Sequence, residues 1–272
     1  MVLPIRRVVA LTVIWECLVL TALLSGATVQ PFPDEDDPKA VIVFLTRGSR
    51  PHGLVERFLN KDTKRLLSKV RDEPSAYMNV LTEFLTLPEQ IDESLDVTRL
   101  EGTLGLLGSI GRRHRGTDVG KAARKAVRDF FDQVASELEV LDLKMQSPND
   151  PTENAGENQE LTRSLVRALS GLQRGNLRIL GRFNDPYAVD HCVKTVEQER
   201  KYMRGTWVVM LRYLEKVAPL RPDIRPKLEK MYDDPGSSLH NNPQLLRVLK
   251  AIDRAEADKA DAKKERTTPR TP

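Results

Sequence analysis

The chain has 272 residues, of which 43 are Lys or Arg and 39 are Asp or Glu, with 40% hydrophobic and only 5% aromatic residues. Its formal net charge of +4 is small beside those totals. The composition therefore excludes a broad basic field, and no nucleic-acid partner is expected. The length suffices for one sizeable hydrophobic core or two modest ones.

The N-terminus has the pattern of a secretory signal peptide. The basic residues Arg6 and Arg7 precede an apolar run over 8–24, and small residues follow at 25–27. A basic start, an apolar middle and small residues before the cleavage point are typical of cleaved signals. We therefore predict that residues 1–27 are removed and that the protein is secreted or lumenal.

Glu16 interrupts the apolar run, and a charged side chain is costly near the centre of a bilayer. No later stretch approaches the roughly 20 apolar residues that a membrane helix needs. We expect the mature protein to begin near Thr28 and to have no membrane span. An uncleaved membrane anchor and an ordinary buried helix are the alternatives for residues 1–27.

Cysteine usage leaves one thiol in the mature chain. Cys17 would leave with the signal peptide, so no intramolecular disulfide can form. A lone cysteine in an oxidising compartment is either buried or joined to a second chain. Cys192 is therefore a candidate for an intermolecular disulfide and a dimer, although its place beside an apolar stripe favours burial.

The first half of the mature chain is predicted to be a linker followed by helices. Residues 28–39 are acidic and rich in proline, which is typical of an extended linker. Residues 40–146 form an N-terminal helical region. Helices are predicted at 40–46 (with a short strand as the alternative), 54–59, 63–71 and 74–87, from 98 onwards, and at 117–145. Asp37 is a candidate cap before the first of them, Asp62 is a candidate cap before 63–71, and Thr117 with Asp118 opens the last.

Residues 147–159 contain two prolines, a glycine and no large apolar side chain, which predicts an exposed loop. A C-terminal helical region follows over 160–255. It begins with a helix at 161–172, and Gly171 and Gly175 are expected to loosen the end of that helix because glycine has a low helix propensity.

Residues 185–220 are predicted to form one helix of roughly 30 residues, because apolar side chains recur there at steps of three and four. Asp185 is the candidate cap, Pro186 suits the first helical position, and Pro219 ends the helix. A helix of this length with large apolar side chains would be the scaffold of the core.

The last helices are predicted at 226–232 and 243–255, with Asn242 as a cap. Beyond them the charges alternate, and residues 256–272 are predicted to be a disordered tail. These elements together predict an all-α fold, an irregular multi-helix bundle. An α-solenoid of helical repeats is the alternative, because the leucine patterns of 98–107 and 162–172 resemble each other.

Four glycines at every third position, from Gly102 to Gly111, precede Arg112, Arg113 and Arg115. Bare amides and cations both favour anions, so this segment is a candidate site for phosphate or another anion. The alternative is a helix face kept small so that a neighbouring helix can approach closely. The Lys-Ser/Thr ending of a P-loop is absent.

The same basic run is a candidate for proteolytic processing. Paired basic residues fit the acidic clefts of secretory-pathway proteases, and Gly116 places the bond after Arg115 in a predicted loop. The alternative is a solvated basic connector.

No catalytic residue is predicted. Asp190, His191 and Cys192 are adjacent on a helix, where successive side chains point about 100° apart and cannot converge on one atom. The four histidines are scattered, so neither a zinc site nor another cofactor is expected. The sequence favours a secreted or lumenal helical protein that binds another protein, without catalytic activity. The alternative is a helical enzyme or anion-binding protein that uses the segment from Gly102 to Arg115.

Overall fold

The computed structural model describes residues 32–47, 61–146, 155–198 and 204–267. Outside these ranges lie the signal peptide predicted at 1–27, the helix predicted at 54–59 and most of the loop predicted at 147–159. The chain divides into two units, 1–34 and 35–272. The described residues of the first unit, 32–34, have no regular secondary structure.

The described residues contain ten α-helices and no β-strand, which confirms the all-α prediction. The α-helices are α1 (Pro38–Arg47), α2 (Lys61–Asp72), α3 (Met78–Phe84), α4 (Val97–Arg113), α5 (Asp118–Gln146), α6 (Ala155–Phe183), α7 (Val189–Glu197), α8 (Arg204–Val217), α9 (Arg225–Asp233) and α10 (Pro243–Thr267). Three short 3-10 helices occupy Pro74–Ala76, Ala218–Leu220 and Pro222–Ile224.

Side chains that accept backbone N–H groups mark the first turns of four helices. Asp37 lies before α1, Asp96 before α4, Thr117 before α5 and Asn242 before α10. Their oxygens lie 2.8–3.2 Å from the amide nitrogens that they bind. Such caps satisfy amides that have no partner within the helix. The caps predicted at Asp37 and Asn242 are confirmed, and α5 begins after Thr117 as predicted. The cap predicted at Asp62 is wrong, because Asp62 lies inside the first turn of α2.

The helices α4, α5 and α6 form the centre of the bundle and alternate in direction. α4 and α6 run parallel, because the contacts between them advance together along both helices. These contacts join Leu104 to Gly175, Gly108 to Ile179 and Gly111 to Phe183. α5 runs antiparallel to α6. Its Arg124 stacks over the Phe183 ring at the end of α6. Further along α5, the Val127 carbonyl accepts a hydrogen bond of 3.0 Å from the Asn176 amide.

A single hydrophobic core joins helices from both predicted regions, 40–146 and 160–255. α4 contacts α1, α2, α3, α5 and α6, and α6 also contacts α8. In a solenoid each repeat contacts only its neighbours. The helices therefore form an irregular bundle and not the alternative solenoid.

The start of the second unit is held on α2. The Glu35 carboxylate pairs with Arg65, and Lys69 donates a hydrogen bond of 2.9 Å to the Glu35 carbonyl. α1 then begins at Pro38. The extended linker predicted over 28–39 therefore ends in contact with α2, and its last two residues are helical.

The predicted single helix over 185–220 is wrong, because the chain folds back between α7 and α8. The Tyr213 hydroxyl donates a hydrogen bond of 2.6 Å to the Asp185 carbonyl and accepts one of 3.1 Å from the Ala188 N–H. In one continuous helix, residues 25 positions apart would lie about 37 Å from each other. Pro186 precedes α7 and is not in its first turn.

The helix α6 is longer at both ends than the sequence predicted. It begins at Ala155, so residues 155–159 of the predicted loop are helical. It also continues through Gly171 and Gly175 to Phe183. Each glycine in a helix costs about 1 kcal/mol relative to alanine. The buried leucines and isoleucine on the opposite face of α6 offset that cost.

The predicted disordered tail over 256–272 is wrong for its first part, because α10 continues to Thr267. Ala, Lys, Glu and Arg dominate residues 256–267, and these residue types have high helix propensity. Arg225 of α9 also binds the helix, with ion pairs of 2.9 Å to Asp253 and 3.2 Å to Glu256.

A buried carboxylate fixes the connection between α6 and α7. The Asp185 side chain is fully buried, and Arg128 of α5 donates hydrogen bonds of 2.9 Å to both of its oxygens. The Tyr187 N–H donates a third hydrogen bond of 3.1 Å, and Arg124 lies 3.8 Å away. The side chain expected to cap a helix at Asp185 therefore mainly forms an ion pair between the α6–α7 connection and α5, which the sequence did not predict.

Asp185→Asn should lower the free energy of unfolding by about 2–4 kcal/mol, because it removes the negative charge that two arginines face in a buried site. Chemical denaturation measures the loss. Asp118→Asn is the matched control, because the Asp118 side chain is 97% exposed and pairs only at the surface with Lys121. Exposed pairs contribute about 0–1 kcal/mol. Equal losses in the two variants would contradict the role of Asp185.

Gly120→Ala should destabilise the protein by about 3 kcal/mol through overpacking. A Cβ atom at Gly120 would lie 2.0 Å from the His114 carbonyl oxygen, and no side-chain rotation relieves a contact with the backbone. Gly171→Ala is the control, because its new Cβ would approach only Arg174 Nη2, at 3.8 Å. That change should stabilise α6 by about 0.5–1 kcal/mol. Thermal denaturation should therefore shift in opposite directions for the two variants, and shifts of the same sign would refute this account.

Candidate anion-binding surface

The glycines of the predicted anion-binding segment, Gly102 to Arg115, lie inside α4 and do not form a phosphate-binding loop. A Cβ atom added at three of the four glycines would lie 3.0 Å or less from the helix packed against it. These contacts join Gly102 to Thr46, Gly108 to Ile179 and Gly111 to Phe183. The alternative interpretation, a face kept small for close packing, is therefore confirmed.

The arginines that follow these glycines lie at the C-terminal end of α4. Arg112 and Arg113 occupy the last turn of α4, where exposed carbonyl groups favour cations and disfavour anions. Arg113 pairs with Asp72 at 2.5 Å, and His114 Nε2 donates a hydrogen bond of 2.6 Å to the Arg71 carbonyl. These contacts do not favour the anion site predicted at Arg112, Arg113 and Arg115, which stays a prediction.

The peptide bond after Arg115, which is predicted to be cleaved, lies in the short connection between α4 and α5. Arg115 is exposed, and Gly116 adopts a φ of +92° in the left-handed region. Proteases prefer flexible loop tips, whereas the chain before this bond is helical through Arg113 and tied to α2 at His114. Cleavage there requires the end of α4 to unwind, and processing stays a prediction.

Cys192 is fully buried among the apolar residues of the core, and burial raises the pKa of its thiol. A disulfide to a second chain would need α7 to open. The neighbouring side chains have different partners: Asp190 binds Arg221 at 3.1 Å, and His191 Nε2 lies 3.0 Å from Gln173 Nε2. The three adjacent residues therefore do not converge on one substrate atom.

A different set of basic side chains forms one stripe along α6. From 161 to 184 the sequence has no acidic residue, and arginines recur at steps of four, seven, four and four. Such steps place side chains on one face of a helix. Four of these arginines are exposed and Arg174 is half-buried. We name as the arginine stripe the residues Arg163, Arg167, Arg174, Arg178 and Arg182.

Most of the arginine stripe has no acidic partner within the described ranges. Arg163 lies 3.7 Å from Glu160. Among the described residues, no hydrogen bond or ion pair joins the other four arginines to another side chain. Several arginines elsewhere are paired with a carboxylate, as Arg128 is with Asp185. Within the described ranges, the stripe is therefore a local concentration of positive charge largely without acidic partners, on a chain of small net charge.

The neighbouring helix α8 adds positive charge beside the C-terminal half of the stripe. Lys216 Cδ would lie 3.6 Å from a Cβ atom at Gly181, the residue before Arg182. Both Lys216 and Arg212, one turn before it on α8, are exposed. The positive surface is thus wider than one helix at this end.

The chemistry of the arginine stripe suits anion binding and not proton transfer. A guanidinium stays charged at all physiological pH values, and its planar array of N–H groups matches carboxylate and phosphate groups in pairs. No residue of the stripe can therefore act as a general acid or base near neutral pH. The stripe can bind and orient an anionic surface.

A cleft of about 380 Å³ between α7 and the segment 222–227 is a weaker candidate site. Its charged lining residues are Asp190, Lys194, Glu197, Asp223 and Lys227. Several of them are already paired: Arg221 binds both Asp190 and Asp223, and its hydrogen bond lowers the pKa of the Asp223 carboxyl. The remaining charged lining residues, Lys194, Glu197 and Lys227, include both signs, so the lining does not favour a ligand of one charge.

In the part of the chain that the structure describes, no group of three or more His, Cys, Asp or Glu side chains is placed to hold a metal ion. Within the same residues, no helix combines the length and apolar character needed to cross a bilayer. Comparison with models of protein families, with curated proteins and with solved structures found no match to this chain.

Sequence reasoning missed the arginine stripe because it ended the helix of this region at 172. Gly171 and Gly175 were interpreted as helix-ending residues, and this separated Arg163 and Arg167 from the other three arginines. The signal that could have revealed the stripe is the absence of acidic residues over 161–184 together with the helical steps between arginines.

We expect the Cys192 thiol to react with an aromatic disulfide reagent only after unfolding, because burial removes both access and thiolate character. In a Cys17→Ser protein, less than about one-tenth of native chains should react within an hour, and all chains should react in denaturant. Prompt reaction of the native protein would contradict this burial and restore the intermolecular disulfide as a candidate.

Proposed function

We propose that this chain is a secreted or lumenal helical protein that acts by binding an acidic protein partner through the arginine stripe. The observation that carries the proposal is a row of arginines on one helix face, four of them without an acidic partner among the described residues. Secretion is supported by the signal-peptide pattern of residues 1–27.

Arginine suits this role because it is enriched at protein interfaces and often contributes strongly to their binding energy. An ordered helix holds the five side chains at fixed intervals, so little conformational freedom is lost in the backbone on binding. Positive charge concentrated on one surface also increases the rate of encounter with an acidic partner. The binding is therefore expected to weaken as the salt concentration rises.

The alternative function, a helical enzyme or anion-binding protein that uses Gly102 to Arg115, is not proposed. Its glycines pack against neighbouring helices, and Arg113 pairs with Asp72.

The protein should be released from a eukaryotic secretory host and capture a stoichiometric partner from its native extracellular fluid. Arg174→Glu with Arg178→Glu should reduce that capture at least about tenfold, because two attractive contacts become repulsive. The pair Arg247→Glu with Lys250→Glu is the matched control on α10, since both residues are exposed and have no ion pair among the described residues. Mass spectrometry measures the captured partner and the N-terminus near Thr28.

Two outcomes would count against the proposal. Equal capture by both double variants would exclude the arginine stripe as the binding surface. A full-length protein retained in the host membrane would overturn secretion and favour residues 1–27 as an anchor.

A further inference from the structure

The spacing of the arginine stripe follows the repeat of an α-helix over its whole length. Arg163 and Arg182 are 19 residues apart, which corresponds to about 28 Å along α6. Successive arginines are separated by about 6, 10.5, 6 and 6 Å along the axis. The longer interval lies between Arg167 and Arg174. Gly171 occupies the position on the same helix face where a further side chain would continue the stripe.

Gly171 leaves an open position in the middle of the stripe. It is half-buried, and the nearest atom to an added Cβ is Arg174 Nη2 at 3.8 Å. One turn later, Gly175 faces α4, because an added Cβ would lie 3.5 Å from Leu104. The stripe therefore combines two positively charged ends with a shallow central hollow at Gly171, which has no side chain of its own and is bordered by the Arg174 guanidinium.

From these features we propose that the acidic partner presents an α-helix that lies along α6, with carboxylates opposite the arginines and one bulky apolar side chain against Gly171. This inference rests on the proposed function and specifies the shape of the partner at the same surface. A partner helix has the same repeat as α6, so carboxylates at steps of four, seven, four and four face all five arginines at once.

An extended acidic strand fits the stripe less well. Side chains on one face of a strand repeat at about 6.7 Å. That repeat approximates the 6 Å intervals, but the interval of about 10.5 Å between Arg167 and Arg174 lies between one and two strand repeats. A strand in register with one end of the stripe is therefore out of register with the other end.

A flexible polyanion also fits less well than a helix. Nucleic acid and sulfated polysaccharide bind arrays of positive charge largely through ion pairing and counterion release. Such binding requires no hollow, and a sixth arginine at position 171 would strengthen it. The hollow at Gly171 is instead suited to a shaped partner whose side chain enters between the two charged ends.

The test uses the full-length protein and a synthetic helical peptide as the probe. The peptide has glutamates at steps of four, seven, four and four, with leucine at the position that faces Gly171 and alanine elsewhere. A second peptide has the reversed order, because either chain direction satisfies the spacing. The comparison probes are a peptide of scrambled order with the same composition, a single-stranded oligodeoxynucleotide and heparin. Fluorescence anisotropy measures each dissociation constant.

One ordered peptide should bind at least about tenfold more tightly than the scrambled peptide, since only an ordered helix faces all five arginines. Gly171→Leu should weaken binding of that ordered peptide at least about fivefold by filling the hollow. Gly205→Leu on α8 is the matched control, because Gly205 is exposed with no atom within 4 Å of an added Cβ. Both leucine variants should fold, because leucine is a better helix former than glycine, and circular dichroism checks this.

The possible failures separate the two proposals. If the scrambled peptide, the oligodeoxynucleotide or heparin binds as tightly as the ordered peptides and Gly171→Leu has no effect, the helical partner is refuted. The proposed function then still stands if Arg174→Glu with Arg178→Glu abolishes capture of a protein partner. If that double variant also captures its partner and binds every probe like the wild type, both proposals fail.

Discussion

Asp185 connects four elements of the bundle at one point, through its buried carboxylate and its backbone. Arg124 and Arg128 reach it from α5, and its own backbone leaves α6 and enters the turn before α7. Tyr213 of α8 binds its carbonyl oxygen at 2.6 Å. A buried charge is tolerated only where hydrogen bonds and opposite charges replace water. This carboxylate therefore requires one arrangement of the surrounding helices, and the orientation of α6 and its outer face depends on that arrangement.

The sequence predicted helices well where regular apolar spacing coincided with a capping side chain, as at Asp37, Thr117 and Asn242. The prediction failed where two consecutive helices continue the same apolar spacing, as α7 and α8 do. The apolar steps of α7 continue into α8, but in the fold Tyr213 contacts Asp185, 28 residues away in the chain. A single sequence has no local signal for a hydrogen bond of that range. Asp185 before a proline likewise has the local pattern of a cap, and nothing nearby indicates Arg128.

The sequence did not predict the arginine stripe, because the low helix propensity of Gly171 and Gly175 was given too much weight. Glycine disfavours helices by about 1 kcal/mol, and the buried leucines of α6 override that preference at Gly171 and Gly175. The opposite case is α4, whose glycines were compatible with either a phosphate site or close packing. Only the positions of Thr46, Ile179 and Phe183 decide between those interpretations. Helical periodicity was visible in the sequence, whereas the identity of the packed neighbour was not.

The arginines that attract an anionic partner also repel one another in the free protein. Arg163 with Arg167, Arg174 with Arg178, and Arg178 with Arg182 are like-charge pairs one helical turn apart. Each such pair destabilises an isolated helix by about 0.2–0.5 kcal/mol. The helix α6 is therefore held together by its buried face against the repulsion on its outer face. Neutralisation of that face would relieve the repulsion, so occupancy of the surface and stability of the fold are thermodynamically linked.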